Sequence, residues 1–310
     1  MSVESKMSQK QQARLWIQTP RANRLRHFQM MDGVIFTLLS IFALLILYPF
    51  YNTILVSLVP QNDYIRSPLM LIPARIELNS YKFVFDSPIL LRSMRTSALL
   101  MLVGTAYNML LTILFSYAMT KQLPGRRLFR FLMVFTMYFG GGLVPYYLLI
   151  KALNLMNTFS IMFLPSVISV TYMLIISNSM SNIPAELSES AQMDGAGEMR
   201  ILFQIILPLS LPILATFTLY YVVERWNEWY SAMLFVTKIE LWPLQFTLRK
   251  IISDANFVST QAMTGEFRPP TYAEGVKMAC IVVTVFPLMA VYPFLQRYFL
   301  TGLTAGAVKG

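Results

Sequence analysis

The chain of 310 residues has few charged residues, one cysteine and one histidine, and each scarcity excludes a class of protein. Charged residues make up 13% of it, against about 25% in soluble domains. The lone Cys280 excludes an intrachain disulfide, and the lone His27 argues against a histidine-based metal site or catalytic triad. No Gly-x4-Gly-Lys-Ser/Thr phosphate loop is present, so we expect this chain not to hold ATP in that way.

Apolar residues, in contrast, are abundant. They form 56% of the chain, and the mean hydropathy is +0.55. A globular core cannot absorb this much apolar surface, which indicates a polytopic membrane protein. The net charge of +10 is compatible with nucleic-acid binding, but in a membrane protein it more simply reflects basic flanks that set orientation.

Six apolar stretches are long enough to cross a membrane, which takes about 20 residues. They are residues 34–56, 97–119, 128–150, 159–180, 201–221 and 276–299. The third is interrupted by consecutive glycines at 140–142 and by Pro145. We therefore predict an all-α polytopic membrane protein with six transmembrane helices.

Lysine and arginine in short loops set the orientation of such a protein. The basic N-terminal tail (1–30) and the basic connection from Lys121 to Arg130 lie on one side if six spans are correct. This predicts cytoplasmic N and C termini, a transmembrane domain over 31–300 and a short C-terminal tail over 301–310. The two long outer loops also carry basic residues, but they contain acids and exceed the length at which the rule is strong.

A polar, acidic segment from Asn182 to Pro212 lies between the fourth and fifth spans. Asn182 is a favourable helix N-cap, and Pro184 fits the first turn. Glu186 and Glu189 then complement the positive end of the helix dipole, and Asp194-Gly195 ends or sharply turns the helix. The pattern predicts a short amphipathic helix on the cytoplasmic side.

The spacing of this segment resembles the EAA loop of ABC-importer permeases. It reads Glu189-Ser190-Ala191, then Gly195, Ile205 and Leu207-Pro208, and only Ser190 departs from the usual alanine. The flanks, 184–187 and 194–196, look like the carbohydrate-uptake branch of that family.

Three other segments support the resemblance, which covers most of the chain from Tyr81 onward. Residues 226–229 (WNEW) resemble a signature that follows the EAA loop in sugar permeases, and 296–310 resemble the tail of the maltose-transporter-type subunit. Residues 268–278 look like the subgroup for complex or acidic oligosaccharides, such as alginate, rhamnogalacturonan fragments and lipo-oligosaccharides.

The resemblance implies a non-catalytic permease subunit with the type I ABC-importer fold in the bacterial cytoplasmic (inner) membrane. It implies binding-protein-dependent import of oligosaccharides with five partner types: a second homologous permease, two ATPase subunits, an extracytoplasmic solute-binding protein, the sugar and membrane lipid. Nucleic acid is not an expected partner. This chain would bind no cofactor, because ATP and Mg would sit on the ATPase subunits.

The coupling (EAA) loop at 182–200 would dock on an ATPase. The residues expected to act there are Glu186, Leu187, Glu189, Ala191, Met193, Asp194 and Gly195. Glu189 would pair with a basic residue of the ATPase or of a neighbouring permease loop, while Ala191 and Gly195 allow close approach. The alternative is that the glutamates only complement the helix N-terminus.

The glycine-rich tail is expected to be too flexible for a core helix and, by resemblance, to reach between the two ATPases. Its contact residues would be Gly302, Thr304, Ala305, Gly306 and Lys309. The alternative is a frayed terminus, which is the default for the ends of most chains.

The substrate path is predicted from polar and aromatic residues near the outer end of the fifth span. They are Glu224, Arg225, Trp226, Asn227 and Trp229, with Tyr146 on the third span. Aromatic rings stack on sugars, and Arg225 is a candidate partner for an acidic sugar. The alternative is an interfacial aromatic belt in which Arg225 pairs structurally with Glu224 or Glu228.

Three other functions compete with oligosaccharide import. A permease of this class can carry another solute, such as glycerol-phosphate or a peptide-like compound. An ion-coupled secondary transporter would need acidic residues in mid-span, and the spans have almost none. A membrane enzyme would need a polar catalytic constellation, which the spans do not contain.

Overall fold

The computed structural model describes the backbone of residues 30–67, 71–73, 75–253 and 272–307, and their side chains apart from 30–32, 291–292 and 294–307. These residues form helices and connecting segments without a β-strand. The helices are α1 Met30–Leu58, α2 Gln61–Arg66, α3 Asn79–Asp86, α4 Pro88–Thr120, α5 Arg126–Tyr138, α6 Leu143–Ala152, α7 Val170–Ser181, α8 Ala185–Met193, α9 Glu198–Leu209, α10 Leu211–Trp226, α11 Tyr230–Phe235, α12 Leu244–Ser253 and α13 Ala273–Ala307.

The chain divides into two compact units, residues 1–51 and 52–310. In the first unit the described part of α1 is apolar around its whole circumference and exposed; Phe36 and Leu44, for example, are 68% and 67% exposed. A helix that is apolar on all sides is typical of a membrane span.

Three helices in the described residues are long and apolar enough to cross a membrane: α1, α4 and α13. Two bent pairs also qualify if each pair is one span, which raises the number to five. In the first pair, α5 and α6 meet at 117° across the glycines at 140–142. In the second, α9 and α10 meet at 86° at Ser210, where Pro208 and Pro212 remove backbone donors and clash with a straight helix. The predicted six spans are therefore not confirmed.

The predicted fourth span, 159–180, is not one helix. A 3-10 turn, Phe159–Met162, is followed by irregular backbone and then by the 12 residues of α7. At about 1.5 Å per residue α7 is about 18 Å long, shorter than the hydrocarbon core of a bilayer. Hydropathy counts apolar residues, but Pro165 and the serines around it interrupt the helix between the two pieces.

The core of the second unit lies where α4 packs against α7 and α10 against α13. One apolar cluster joins α4, α7, α9 and α10 and includes Tyr117, Ile176, Leu202, Phe217 and Tyr221. This cluster lies directly under the segment that the sequence predicts as the coupling loop, since Ile183, Ala191 and Ala196 pack against it.

Candidate functional site

The predicted coupling helix is α8, Ala185–Met193, but it does not begin as expected. Its N-cap is Pro184, and Asn182 is instead the C-cap of α7, donating its N–H to the Ser179 carbonyl at 3.2 Å. The assignment of Asn182 as the N-cap was wrong, because two helices separated by three residues compete for it. Pro184 suits the position because it has no N–H to leave unpaired.

The end of α8 is as predicted. Gly195 has φ +79°, in the left-handed region that favours glycine. The Ala196 N–H donates to the Ala191 carbonyl at 2.9 Å, and the Gly195 N–H donates to that of Gln192 at 3.0 Å. This pair of bonds is the Schellman motif, which satisfies the last carbonyls of the helix and fixes the turn after it.

The outer surface of α8 is exposed. None of its residues is buried, Leu187 is 45% exposed, and Met193 is 89% exposed. Within the described part of the chain, the carboxylates of Glu186, Glu189 and Asp194 form no ion pair. Ala191 packs inward and Ser188 is half-buried, so α8 offers acidic and apolar side chains together on its opposite, open face.

Glu198, at the start of α9, joins this loop to the end of α4. Its Oε2 lies 2.8 Å from Lys121 Nζ and accepts a hydrogen bond from the Tyr117 hydroxyl at 2.5 Å. Its Oε1 accepts from Gln192 of α8 at 3.1 Å. We call Glu198, Lys121, Tyr117 and Gln192 the Glu198 cluster; it ties the loop to a membrane-spanning helix.

Lys121 stays charged in this cluster. Burial lowers the pKa of its ammonium, but hydrogen bonds to Glu198 and Tyr117 outweigh burial and leave that pKa above its usual value. The ammonium also lies 4.7 Å from the centroid of the Tyr117 ring, which adds a cation–π attraction.

Arg225, predicted for the substrate path, is buried in the protein. Its Nη1 donates to the Met162 carbonyl at 2.6 Å, and its Nη2 donates to Ser166 Oγ at 3.2 Å. A Cβ atom on Gly104 would lie 3.0 Å from Arg225 Cδ, so the arginine stem fills the space that this glycine leaves. Glu224 Oε2 lies 3.9 Å from Nη2, as in the structural alternative.

These contacts explain how the irregular backbone between the 3-10 turn and α7 is stabilised. Asn108 of α4 donates to the Ser166 carbonyl at 3.2 Å, and the Ser169 N–H donates to the Tyr221 hydroxyl at 3.0 Å. Non-helical backbone at membrane depth is tolerated where protein groups satisfy it. Arg225 and Asn108 supply donors to the carbonyls that a broken helix leaves free.

The other predicted path residues have different environments. Trp226 is buried and donates its Nε1–H to the Thr284 carbonyl at 2.9 Å, which ties α10 to α13. Asn227 is exposed and accepts a hydrogen bond from Gln245. Trp229 is half-buried with the Arg249 guanidinium 3.7 Å from its ring centroid. Tyr146 is 36% exposed.

Glu224 belongs to an exposed aromatic group that sequence reasoning did not find in full. The Tyr172 hydroxyl donates to Glu224 Oε1 at 2.5 Å, and the rings of Tyr172 and Tyr220 stack at 5.7 Å. Tyr220 is 45% exposed. Tyr172 lies on α7, 52 residues before Glu224, so no local pattern connects the two.

A family model described as "Binding-protein-dependent transport system inner membrane component" matches residues 28–304 of the chain. The protein belongs to this family. It is a multi-pass membrane permease, the non-catalytic subunit type of ABC transporters, and the coupling loop is a general feature of such subunits.

Relatives match the permease over nearly its full length. It is 36% identical over 284 residues to the polygalacturonan/rhamnogalacturonan transport system permease protein YtcP of Bacillus subtilis, covering 91% of this chain and 99% of that protein. It is 37% identical over 263 residues to protein LplC of the same organism, covering 84% and 89%.

A crystal structure of a bacterial ABC transporter involved in the import of the acidic polysaccharide alginate contains a chain with the same fold. The TM-score is 0.80 at 29% identity, and the match covers 88% of the permease and 98% of that chain.

The predicted tail of the permease is helical where it is described. Helix α13 continues through Gly302, Thr304, Ala305 and Gly306 to Ala307, whereas the sequence led us to expect a flexible segment from Gly302. Lys309 lies outside the described residues. Small residues permit a helix as well as a flexible tail, and here the long apolar helix before them continues.

No group of three or more His, Cys, Asp or Glu residues among the described side chains of the permease could hold a metal ion. Its buried thiol, Cys280, packs in the apolar cluster between α4, α10, α12 and α13.

Proposed function

We propose that this permease is one half of the translocation path of an ATP-driven importer for oligosaccharides that contain acidic sugars. The observation that carries the proposal is α8, a capped helix held at a fixed angle by the Schellman turn and the Glu198 cluster, yet bare on its outer face. The similarity to the polygalacturonan/rhamnogalacturonan permease YtcP and to the alginate transporter supports an acidic, pectin-like or alginate-like substrate.

In this proposal α8 docks in a cleft of a cytoplasmic ATPase subunit. Leu187 and Met193 supply apolar contact, Glu189 pairs with a basic residue, and Gly195 sets the turn. ATP and Mg bind to a pair of ATPase subunits, whose closure moves α8 and rocks this permease against a second, homologous one. Both termini and the coupling loop face the cytoplasm, and residues 302–309 reach between the ATPases.

The substrate path in this proposal consists of exposed and half-buried polar and aromatic residues near the far end of α10. Glu224 with Tyr172 and Tyr220 forms one part, and Asn227, Trp229 and Tyr146 form another. A carboxylate at membrane depth faces a wet cavity or another protein rather than lipid. Arg225 and Trp226 serve as scaffold, and the exposed Arg249 over Trp229 takes the role of cationic partner for the sugar acid.

The substrate class can be tested with the importer assembled from this chain, its permease partner, the ATPases and the binding protein. We expect binding-protein-stimulated ATP hydrolysis with oligogalacturonides or alginate oligomers, and at most about a tenth of that stimulation with neutral maltooligosaccharides. Glu189→Lys should abolish stimulation by every sugar, because it reverses the charge on the docking face. Equal stimulation by neutral and acidic oligomers would contradict the acidic-sugar proposal.

The two arginines near the path should respond differently to substitution. Arg249→Gln should raise the KM for acidic oligosaccharides about tenfold or more, as expected for loss of one charge-assisted contact, without changing thermal stability. Arg225→Ala should lower the free energy of unfolding by about 1–3 kcal/mol, because the buried Met162 carbonyl loses its donor. Thermal unfolding in detergent and uptake kinetics measure the two effects; a lowered stability for Arg249→Gln with unchanged KM would contradict the assignment.

A further inference from the structure

Three arginines cluster at the start of α5. Arg126, Arg127 and Arg130 line one groove of about 490 Å³ together with Phe131 and Val134. The three arginine side chains thus line a single concave surface together with two apolar side chains.

No acidic group in the described part of the chain neutralises this groove. None of the three arginines forms an ion pair with a described residue, and Arg126 Nε is shielded from solvent without an acceptor. Cations at a helix N-terminus are also disfavoured by the helix dipole. The positive charge of the groove is therefore not neutralised by other described residues of the chain. A positively charged surface of this kind can bind an anion from outside the chain.

An aromatic stripe continues from the groove along α5 to Phe139, the residue that follows this helix. Phe131, Phe135 and Phe139 follow at intervals of four residues, with ring centroids 6.1 Å and 4.5 Å apart. They are 63%, 43% and 69% exposed, and no residue of α5 is buried. An occupant that matches both features carries an anionic head and an apolar chain.

The groove lies near the end of α4 that meets the coupling loop. Lys121 follows α4 and bonds to Glu198, and only 122–125 separate it from Arg126. With the coupling loop facing the cytoplasm, as in the proposed function, the arginines lie at the level of the inner-leaflet headgroups, where basic residues attract anionic lipids.

We propose that this groove is a binding site for an anionic phospholipid of the inner leaflet. The three guanidinium groups hold the phosphate, by the charge-assisted and bidentate bonds that arginine makes to phosphate oxygens. One acyl chain lies along the stripe of Phe131, Phe135 and Phe139. The site is separate from α8 and from the residues proposed for the substrate path.

The test measures lipid retention by the whole assembled importer in nanodiscs of phosphatidylcholine doped with a photo-crosslinkable phosphatidylglycerol. We expect crosslinks on α5 in the wild type and a loss of about tenfold or more in apparent affinity when Arg126, Arg127 and Arg130 are all changed to glutamine. The matched control changes Lys82, Arg92 and Arg95 to glutamine, which removes the same charge elsewhere, and should leave the crosslinks unchanged. Inorganic phosphate should not compete, because it lacks the acyl chain.

Two results would overturn the proposal. One is crosslinking that persists in the triple glutamine variant. The other is failure of that variant to pair with the second permease in any lipid, since the groove would then fit an acidic protein surface. The corresponding triple lysine variant is the control for poor folding of the glutamine variant. It keeps the charge but not the bidentate geometry, so its crosslinking should lie between those of the wild type and the glutamine variant. Crosslinking no higher than in the glutamine variant would count against a phosphate site. Because the assay needs no transport, failure of the proposed substrate class would leave its result unaffected.

Discussion

Replacing Gly195 by valine is expected to reduce substrate uptake about tenfold or more while the permease still inserts in the membrane. The residue has φ +79°, a conformation that costs L-residues about 1–2 kcal/mol and β-branched residues more. Valine would shift the backbone and break the bond from the Ala196 N–H to the Ala191 carbonyl. Helix α8, which we propose docks on the ATPase, would then lose its fixed angle. Uptake of labelled oligosaccharide, normalised to permease in the membrane, measures the effect.

Two further substitutions show whether the effect of Gly195→Val comes from the backbone conformation or from the size of the added side chain. A Cβ at either Gly195 or Gly197 would meet nothing within 4 Å, so neither site is crowded. Gly197 has φ −73° and ψ 162°, which valine adopts readily, so Gly197→Val should keep uptake within about twofold of wild type. Gly195→Asn should also keep most of it, because asparagine tolerates the left-handed region. Normal uptake by Gly195→Val would show that the turn does not transmit the ATPase movement.

The end of α8 could be predicted from sequence because it depends on one local requirement, a residue that tolerates positive φ. Its start could not, because Asn182 and Pro184 are both plausible caps, and the choice depends on where α7 ends. The same limit applies to the spans. The apolar stretches predicted six spans, which the structure does not confirm. The break at Ser210 depends on the prolines beside it, and the break after Met162 depends also on distant donors, Arg225 and Asn108.

Long-range pairs explain most of what the sequence did not predict in the candidate site. Tyr117 and Glu198 are 81 residues apart, and Arg225 and Met162 are 63 apart. Neither pair has a spacing that local periodicity detects. In the sequence, an arginine beside a tryptophan and an asparagine is equally compatible with a sugar-binding site and with a structural role. Only the burial of Arg225 and its two hydrogen-bond acceptors favour the structural role.

The second large effect is expected at the Glu198 cluster. Glu198→Lys should lower coupled uptake about tenfold, because it places two ammonium groups where an ion pair of 2.8 Å now stands and removes the acceptor of Tyr117 and Gln192. Lys121→Glu should have a similar effect. ATP hydrolysis by the assembled importer should persist in both variants while its stimulation by the binding protein falls, since α8 can still dock but is no longer tied to α4.

Combining the two changes tests whether the ion pair itself carries the effect. The double variant restores opposite charges, so it should recover part of the uptake, with a coupling energy of about 1–2 kcal/mol between the sites. Recovery should be incomplete, because a lysine at 198 cannot accept the hydrogen bond that Gln192 Nε2 now donates. The control is the ion pair between Lys277 and Glu274, which are 3.6 Å apart within α13 and similarly exposed. Exchanging these two residues should change uptake by an amount equivalent to less than about 0.5 kcal/mol. A double variant no better than either single change would mean that Glu198 acts through Gln192 and Tyr117, which would place the link to α4 in neutral hydrogen bonds rather than in charge.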